Sequence, residues 1–247
     1  MAGRLALIFR HPVKGIGSEA LDRAALSPEG ALAGDRAWAL LNAHAPDTDA
    51  WQPRRNFLQV ASGPALAAIR ASSEGETVRL SHPERPELAL TPAEDGAALA
   101  EWVAPLWPRE RPGPARLVRA PGHGMTDMPD PFVSLGNLAS LRALSERAGQ
   151  ALDPRRFRIN LWVEGLAPWE EFDLVRTEFR IGDVSCTGAE RIGRCRAPEA
   201  DPATGRRDVN VCGVLAQGWD HTDFGIYLRV AAAGEVAEGD PVHLPWS

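Results

Sequence analysis

The stretch Arg194-Cys195-Arg196-Ala197-Pro198-Glu199-Ala200-Asp201-Pro202-Ala203-Thr204-Gly205 sets one cysteine between two arginines and follows it with an Asp-Pro-x-Thr-Gly turn. A thiol acts as nucleophile or soft-metal ligand in its thiolate form, which neighbouring cations favour. Arg191, Arg194 and Arg196 all lie within four residues of Cys195. Pro202 fixes its own backbone angle and Gly205 permits positive φ, so the stretch is expected to be a loop of one shape. A buried, inert side chain is the usual fate of cysteine. The flanking arginines argue instead that this sulfur is presented, as nucleophile, redox switch or metal ligand.

Outward from this loop, the strand-like runs are many and short: 5–9, 37–41, 57–60, 77–80, 117–119, 158–163, 178–181, 226–230 and 242–244. Turn residues separate them. Two helices stand out. Thr91-Pro92-Ala93-Glu94 reads as a capping box with proline at the first helical position, followed by Leu99, Trp102, Val103 and Leu106 at helical spacing. The second runs over 137–148, with Leu138, Leu141, Leu144 and Ala148 on one stripe and Gly149 as its stop. Residues 234–242 read as a hairpin feeding the last strand. Strands without regularly alternating helices favour a barrel over a doubly wound sheet, so the expected fold is α+β, mainly β. A Pro-, Gly- and Arg-rich stretch over 105–130 is the expected junction between a first part, 1–118, and a second, 119–247.

The chain of 247 residues is 44% hydrophobic and 24% charged, enough for a sizeable core without disulfides. A net charge of −6 argues against a general nucleic-acid binder. Cys186, Cys195 and Cys212 contain no CxxC pair and are too few for a disulfide framework, so free thiols in a reducing, cytoplasmic compartment are expected. Cys186 and Cys212 lie in strand-like runs and read as core or near-core thiols. The apolar run 5–9 is too short for a membrane span or a signal segment. No HxH, HExxH or GxSxG pattern occurs.

Three further patches carry cations. His11-Pro12-Val13-Lys14-Gly15 follows the first strand and ends on a lysine that can meet an anion; alone it reads as a solvated turn. Gly34-Asp35-Arg36-Ala37-Trp38 offers an arginine as phosphate ligand or as half of a turn ion pair. In Arg155-Arg156-Phe157-Arg158-Ile159-Asn160-Leu161, strand alternation would put Arg156, Arg158 and Asn160 on one polar face. A water-facing edge strand would look the same.

With these patches in view, the chain resembles the MOSC family (molybdenum cofactor sulfurase C-terminal domain). More narrowly, it resembles the two-part members with an N-terminal MOSC β-barrel segment, such as the mitochondrial amidoxime-reducing component. The resemblance rests on Pro12-Val13-Lys14, Gly34-Asp35-Arg36-x-Trp38 and Phe57-Leu58-Gln59-Val60 in the first part. In the second it rests on Pro131-Phe132 before Ala139-Ser140-Leu141, Phe157-Arg158-x-Asn160, Arg194-Cys195, Asp201-Pro202-x-Thr204-Gly205 and Gly239-Asp240-Pro241-Val242. It implies a β-barrel MOSC domain packed on a smaller β-rich domain, with a pterin-dithiolene molybdenum cofactor in the cleft between them. Cys195 would be the catalytic residue and the metal ligand. Lys14, Arg36, Arg158, Asn160 and Arg194 would line the cofactor site.

The activity implied is reduction of small N-hydroxylated or N-oxide substrates. The cysteines are too few to ligate an iron–sulfur cluster, so electrons are expected from a separate donor protein. Thiolate activation suits equally a sulfur-carrying or cofactor-handling protein with a persulfide on Cys195. A barrel that binds without catalysing is the third reading. Two departures stand out: Gly15 replaces a serine common in relatives, and Pro198 and Glu199 stand where threonines are common. A carboxylate at Glu199 is expected near the metal.

Overall fold

In the computed structural model, which describes residues 3–246, the chain opens into β1 (Gly3–Arg10), β2 (Val13–Lys14), β3 (Glu19–Leu21), β4 (Arg23–Ser27), β5 (Ala31–Leu32) and β6 (Trp38–Asn42). The hairpins of β7 (Arg70–Glu74), β8 (Thr77–His82) and β9 (Arg85–Leu90) follow, then α1 (Gly96–Val103) and β10 (Pro114–Arg119). Beyond a long loop come β11 (Val133–Asn137), α2 (Leu138–Ala148), β12 (Leu161–Glu164), β13 (Glu178–Ile181) and β14 (Val184–Gly193). The chain finishes with α3 (Val211–Trp219), β15 (Asp223–Val230), β16 (Gly234–Ala237) and β17 (Pro241–His243). No helix among the described residues is long and apolar enough to cross a membrane.

Seven strands close a ring in the order β12-β11-β15-β14-β13-β17-β1, with β1 pairing back onto β12. Closure leaves no unpaired edge within the ring. Every neighbouring pair is antiparallel except β11 with β12, where α2 supplies the crossover that parallel strands require. Alternation fills the interior: in β13, Phe179 and Ile181 are buried while Glu178 and Arg180 face water. Leu5, Ile8, Val133, Leu135, Leu161, Val163, Ile226, Leu228 and Val242 complete this core. A second core lies under the first part, where Val13, Leu40, Leu58, Leu80, Leu99, Trp102, Trp107 and Leu117 pack together. A third, with Phe9, Leu144, Phe157, Trp162, Leu215 and Phe224, seats α2 and α3 on the barrel.

The two parts exchange strands. β1, from the N-terminal end, is a stave of the barrel, while β16, from the C-terminal end, pairs with β4 beside β5. The fold is α+β and mainly β.

Several local expectations change. Residues 57–60 form no strand; Phe57 makes a single bridge to Leu41, Leu58 and Gln59 are irregular and a turn begins at Val60. Thr91–Glu94 do not begin the helix. Asp95 accepts the Thr91 N–H at 2.7 Å and returns its own N–H to the Thr91 carbonyl, closing a turn before Gly96. In the run 158–163 only the part from Leu161 is strand. Asp153 caps a one-turn helix at Pro154–Phe157, and Arg158 takes left-handed backbone angles (φ 50°). β16 and β17 form no hairpin with each other, because Gly239 and Asp240 turn the chain from one sheet to another. Cys212 stands on a helix rather than a strand, whereas Cys186 is a buried barrel residue.

Candidate functional site

A single cleft, between one end of the barrel and the sheet β10-β6-β2, collects Lys14, Arg36, Arg158, Asn160, Arg194 and Cys195. Their positions come from unrelated elements. Lys14 ends β2; Arg36 sits in the turn before β6; Arg158 closes the turn after Pro154; Arg194 and Cys195 follow β14. Arg54, Arg156, Asp127 and Tyr227 join them. Six lining cations face one lining carboxylate, and even with Asp35 pairing Arg36 and Asp208 pairing Arg156 from behind, positive charge is left over in a chain of net charge −6.

The cations are held from behind. Arg36 pairs with buried Asp35 and donates to the Arg158 carbonyl at 2.8 Å. Arg158 donates to the carbonyls of Gly17 (2.9 Å) and Val13 (3.3 Å). Arg194 donates to Phe224 through Nε (2.9 Å) and to Phe157 (2.9 Å), its guanidinium lying over the Phe157 ring. Burial lowers Arg158 to about 9 and Arg194 to about 10, so both remain charged at neutral pH. Lys14 is also lowered by burial, against the pull of Asp127, whose carboxylate lies 2.5 Å from its ammonium. Burial pushes Asp127 upward, but Lys14, with Arg36 and Arg54, outweighs it and holds the carboxyl below its ordinary value.

Asn160 belongs to the wall more than to the cavity. Its side chain donates to the Phe9 carbonyl (3.1 Å) and accepts from the Ser134 hydroxyl (2.8 Å) and N–H (3.3 Å). These bonds tie β1 to β11. Of the arginines close to Cys195 in sequence, only Arg194 shares its cavity. Arg191 lies over the Phe172 ring at 4.2 Å, and the exposed Arg196 pairs with Glu199. The Glu199 carboxylate is turned to Arg196 (3.0 Å) and Arg207 (3.4 Å); Ala197 and Pro198 line the cleft instead. The carboxylate expected near the metal is therefore directed elsewhere.

Gly15 has a steric reason. Its backbone is left-handed (φ +72°), and a Cβ there would approach the Leu58 carbonyl oxygen to 2.5 Å, so no serine fits this geometry. The Asp201–Gly205 turn has the rigid form its sequence suggests. Asp201 accepts from Gly205 N–H (2.8 Å), Ala203 N–H (3.1 Å) and the Thr204 hydroxyl (3.0 Å).

Sequence reasoning missed Asp127, Arg54 and Tyr227. Asp127 falls in the Pro- and Gly-rich stretch read as a junction, 113 residues from Lys14, and no local pattern signals that pairing. Tyr227 lies on β15 with its ring stacked 5.3 Å from Phe132, and burial raises its phenol. The sequence's single tyrosine, on a strand that otherwise reads as core, was the available signal.

The donor set suits a pterin-dithiolene molybdenum group. Among the described residues, no group of three or more His, Cys, Asp or Glu could hold a metal ion. The cleft lining offers one sulfur, that of Cys195, beside a field of cations. That matches a metal whose other ligands arrive with an anionic cofactor.

Two family models match the chain. The MOSC N-terminal beta barrel domain matches residues 2–105 and the MOSC domain matches residues 123–243. No curated protein matches the chain significantly. Similar solved structures include the YuaD protein from Bacillus subtilis, at 12% identity over 98% of this chain and 94% of that one, with a TM-score of 0.48. YiiM from Geobacillus stearothermophilus is 17% identical over 45% of this chain and 53% of its own, with a TM-score of 0.36. With the cleft, its single sulfur and the two matched segments taken together, the chain belongs to the MOSC family, in the form that carries an N-terminal MOSC β-barrel domain.

Proposed function

We propose that the protein binds a molybdenum cofactor in this cleft and reduces N-hydroxylated or N-oxide substrates with electrons from a separate donor protein. The observation that carries the reading is the convergence of Cys195 with cations from four distant segments. Lys14, Arg36 and Arg158 would hold the cofactor's phosphate and pterin, with Arg54 at the rim. Cys195 would supply the protein's sulfur to the metal. When bound, the cofactor would supply two-electron oxygen removal, the reaction type of the amidoxime-reducing component that the chain resembles.

The chain's own groups do the rest. For an N-hydroxylated substrate the balance is R2NOH plus two electrons and two protons giving R2NH and water. Tyr227, raised by burial, keeps its proton at neutral pH and presents a donor on the cavity wall. Arg194 places positive charge beside Cys195, and Phe132 stacks on the Tyr227 ring in the cavity wall.

The test is molybdenum and pterin analysis of protein made in a host that produces the cofactor, beside Cys195→Ala. Wild type should carry the metal and the variant should lose it. Stoichiometric molybdenum bound alike in both would remove Cys195 as ligand. A labile sulfur on Cys195 with no molybdenum would favour the sulfur-carrying function.

A further inference from the structure

Of the three cysteines, Cys186 is buried in the barrel wall, whereas Cys195 and Cys212 are both partly exposed. Cys212 stands in the first turn of α3, directly against the Cys195 loop. Its Sγ lies 3.3 Å from the carbonyl oxygen of Cys195 and 3.4 Å from that of Arg194. Both elements are fixed. Asn210 caps α3 by accepting the Gly213 N–H at 2.9 Å, and Arg194 anchors the loop through its N–H to the Thr222 carbonyl at 2.9 Å. The second sulfur is therefore held against the main chain of the residue that bears the first, and the proposed reaction has no use for it.

We propose that Cys195 and Cys212 form a reversible disulfide when the cleft is empty and the protein meets a hydroperoxide. The Cys195 thiolate attacks the peroxide O–O bond and takes one oxygen as sulfenic acid, releasing water or an alcohol. The Cys212 sulfur then attacks the sulfenic sulfur. The S–S bond forms, the S–O bond breaks, and hydroxide leaves as water with the Cys212 proton. The two thiols supply the two electrons that reduce the peroxide, and a dithiol restores both. The 3.3 Å contact of the Cys212 sulfur with the Cys195 main chain makes this pairing local to one helix turn and one loop. Its effect is to stop oxidation of the site's sulfur at a recoverable stage, before the irreversible sulfinic acid. The inference rests on the molybdenum reading for its purpose alone, since the chemistry needs only the two thiols.

The experiment treats cofactor-free full-length protein with hydrogen peroxide, alkylates remaining thiols and maps the peptides by mass spectrometry. A Cys195–Cys212 linked peptide should be the main product and disappear after dithiothreitol. Cys212→Ser, confirmed as folded by circular dichroism, should instead accumulate sulfinic acid on Cys195, about tenfold more than wild type. Equal overoxidation in both proteins with no linked peptide would overturn the proposal, as would linkage through Cys186. Molybdenum content is read separately on untreated protein. A disulfide without metal binding sinks only the cofactor reading, and metal binding without a disulfide sinks only this one.

Discussion

Arg194 commits its guanidinium to the carbonyls of Phe157 and Phe224, so its charge reaches the cleft while its hydrogen bonds hold the floor. A lysine carries the charge but cannot span both oxygens. Arg194→Lys should lower unfolding free energy by about 1–3 kcal/mol in chemical denaturation, chiefly by leaving buried carbonyls unpaired. Beneath the cations, His11 is fully buried, its ring nitrogen 3.2 Å from Asp35. Burial, with Arg158 and Arg36, lowers His11 from 6.5 to about 3. The folded protein thus holds His11 neutral where the unfolded chain would protonate it. Its contribution is complete above pH 6.5 and is lost as pH falls from there toward 3. His11→Asn keeps a donor for Asp35 and carries no titrating ring. Its stability should decline less steeply than wild type between pH 6 and about 4 in denaturant melts.

Elements show the same division between local and distant causes. α2 was legible because its apolar stripe, its cap and its glycine stop all lie within 137–149. The structure adds what Asn137 and Ser140 do besides. Asn137 accepts the Ala139 N–H at 2.9 Å, and both residues donate to the Glu171 carboxylate, at 3.1 and 2.7 Å. Glu171 is fully buried, its other oxygen without a partner, and burial raises it from 4.5 to about 7. The folded state therefore binds the proton more tightly, and stability falls as pH rises from about 4.5 through about 7. Glu171→Gln should flatten that slope and be more stable than wild type at pH 8 by on the order of 1–3 kcal/mol, read from urea melts at several pH values. Residues 57–60 and 158–160 misled because apolar alternation there reflects packing of irregular backbone. Phe57, Leu58, Phe157 and Ile159 are all buried, yet none lies in a strand.

At the scale of the molecule, β1 decides whether the barrel closes. It joins β12 to β17 and carries Leu5 and Ile8 into the core. A fragment of residues 119–246 would have two open edges and an unfilled interior. That fragment should lack cooperative thermal unfolding by circular dichroism, and co-expression with residues 1–118 should restore it. The cleft depends on the same exchange. Lys14 and Arg36 reach Cys195 only when the first part is docked on the barrel, so cofactor retention and assembly of the two parts should be lost together.

By itself, the sequence determined the mainly β class, the helix at 137–148, the rigid Asp201–Gly205 turn and the residue types able to receive an anionic, metal-bearing group. Each of these is written in neighbouring residues, through backbone angles, caps and side-chain period. The tertiary structure alone decided which arginines face Cys195, that Glu199 turns away, that Asp127 meets Lys14, and that Cys212 stands over the Cys195 loop. Those are contacts between segments far apart in the chain. They are set by how the barrel closes and the two parts interleave, and no local pattern encodes them.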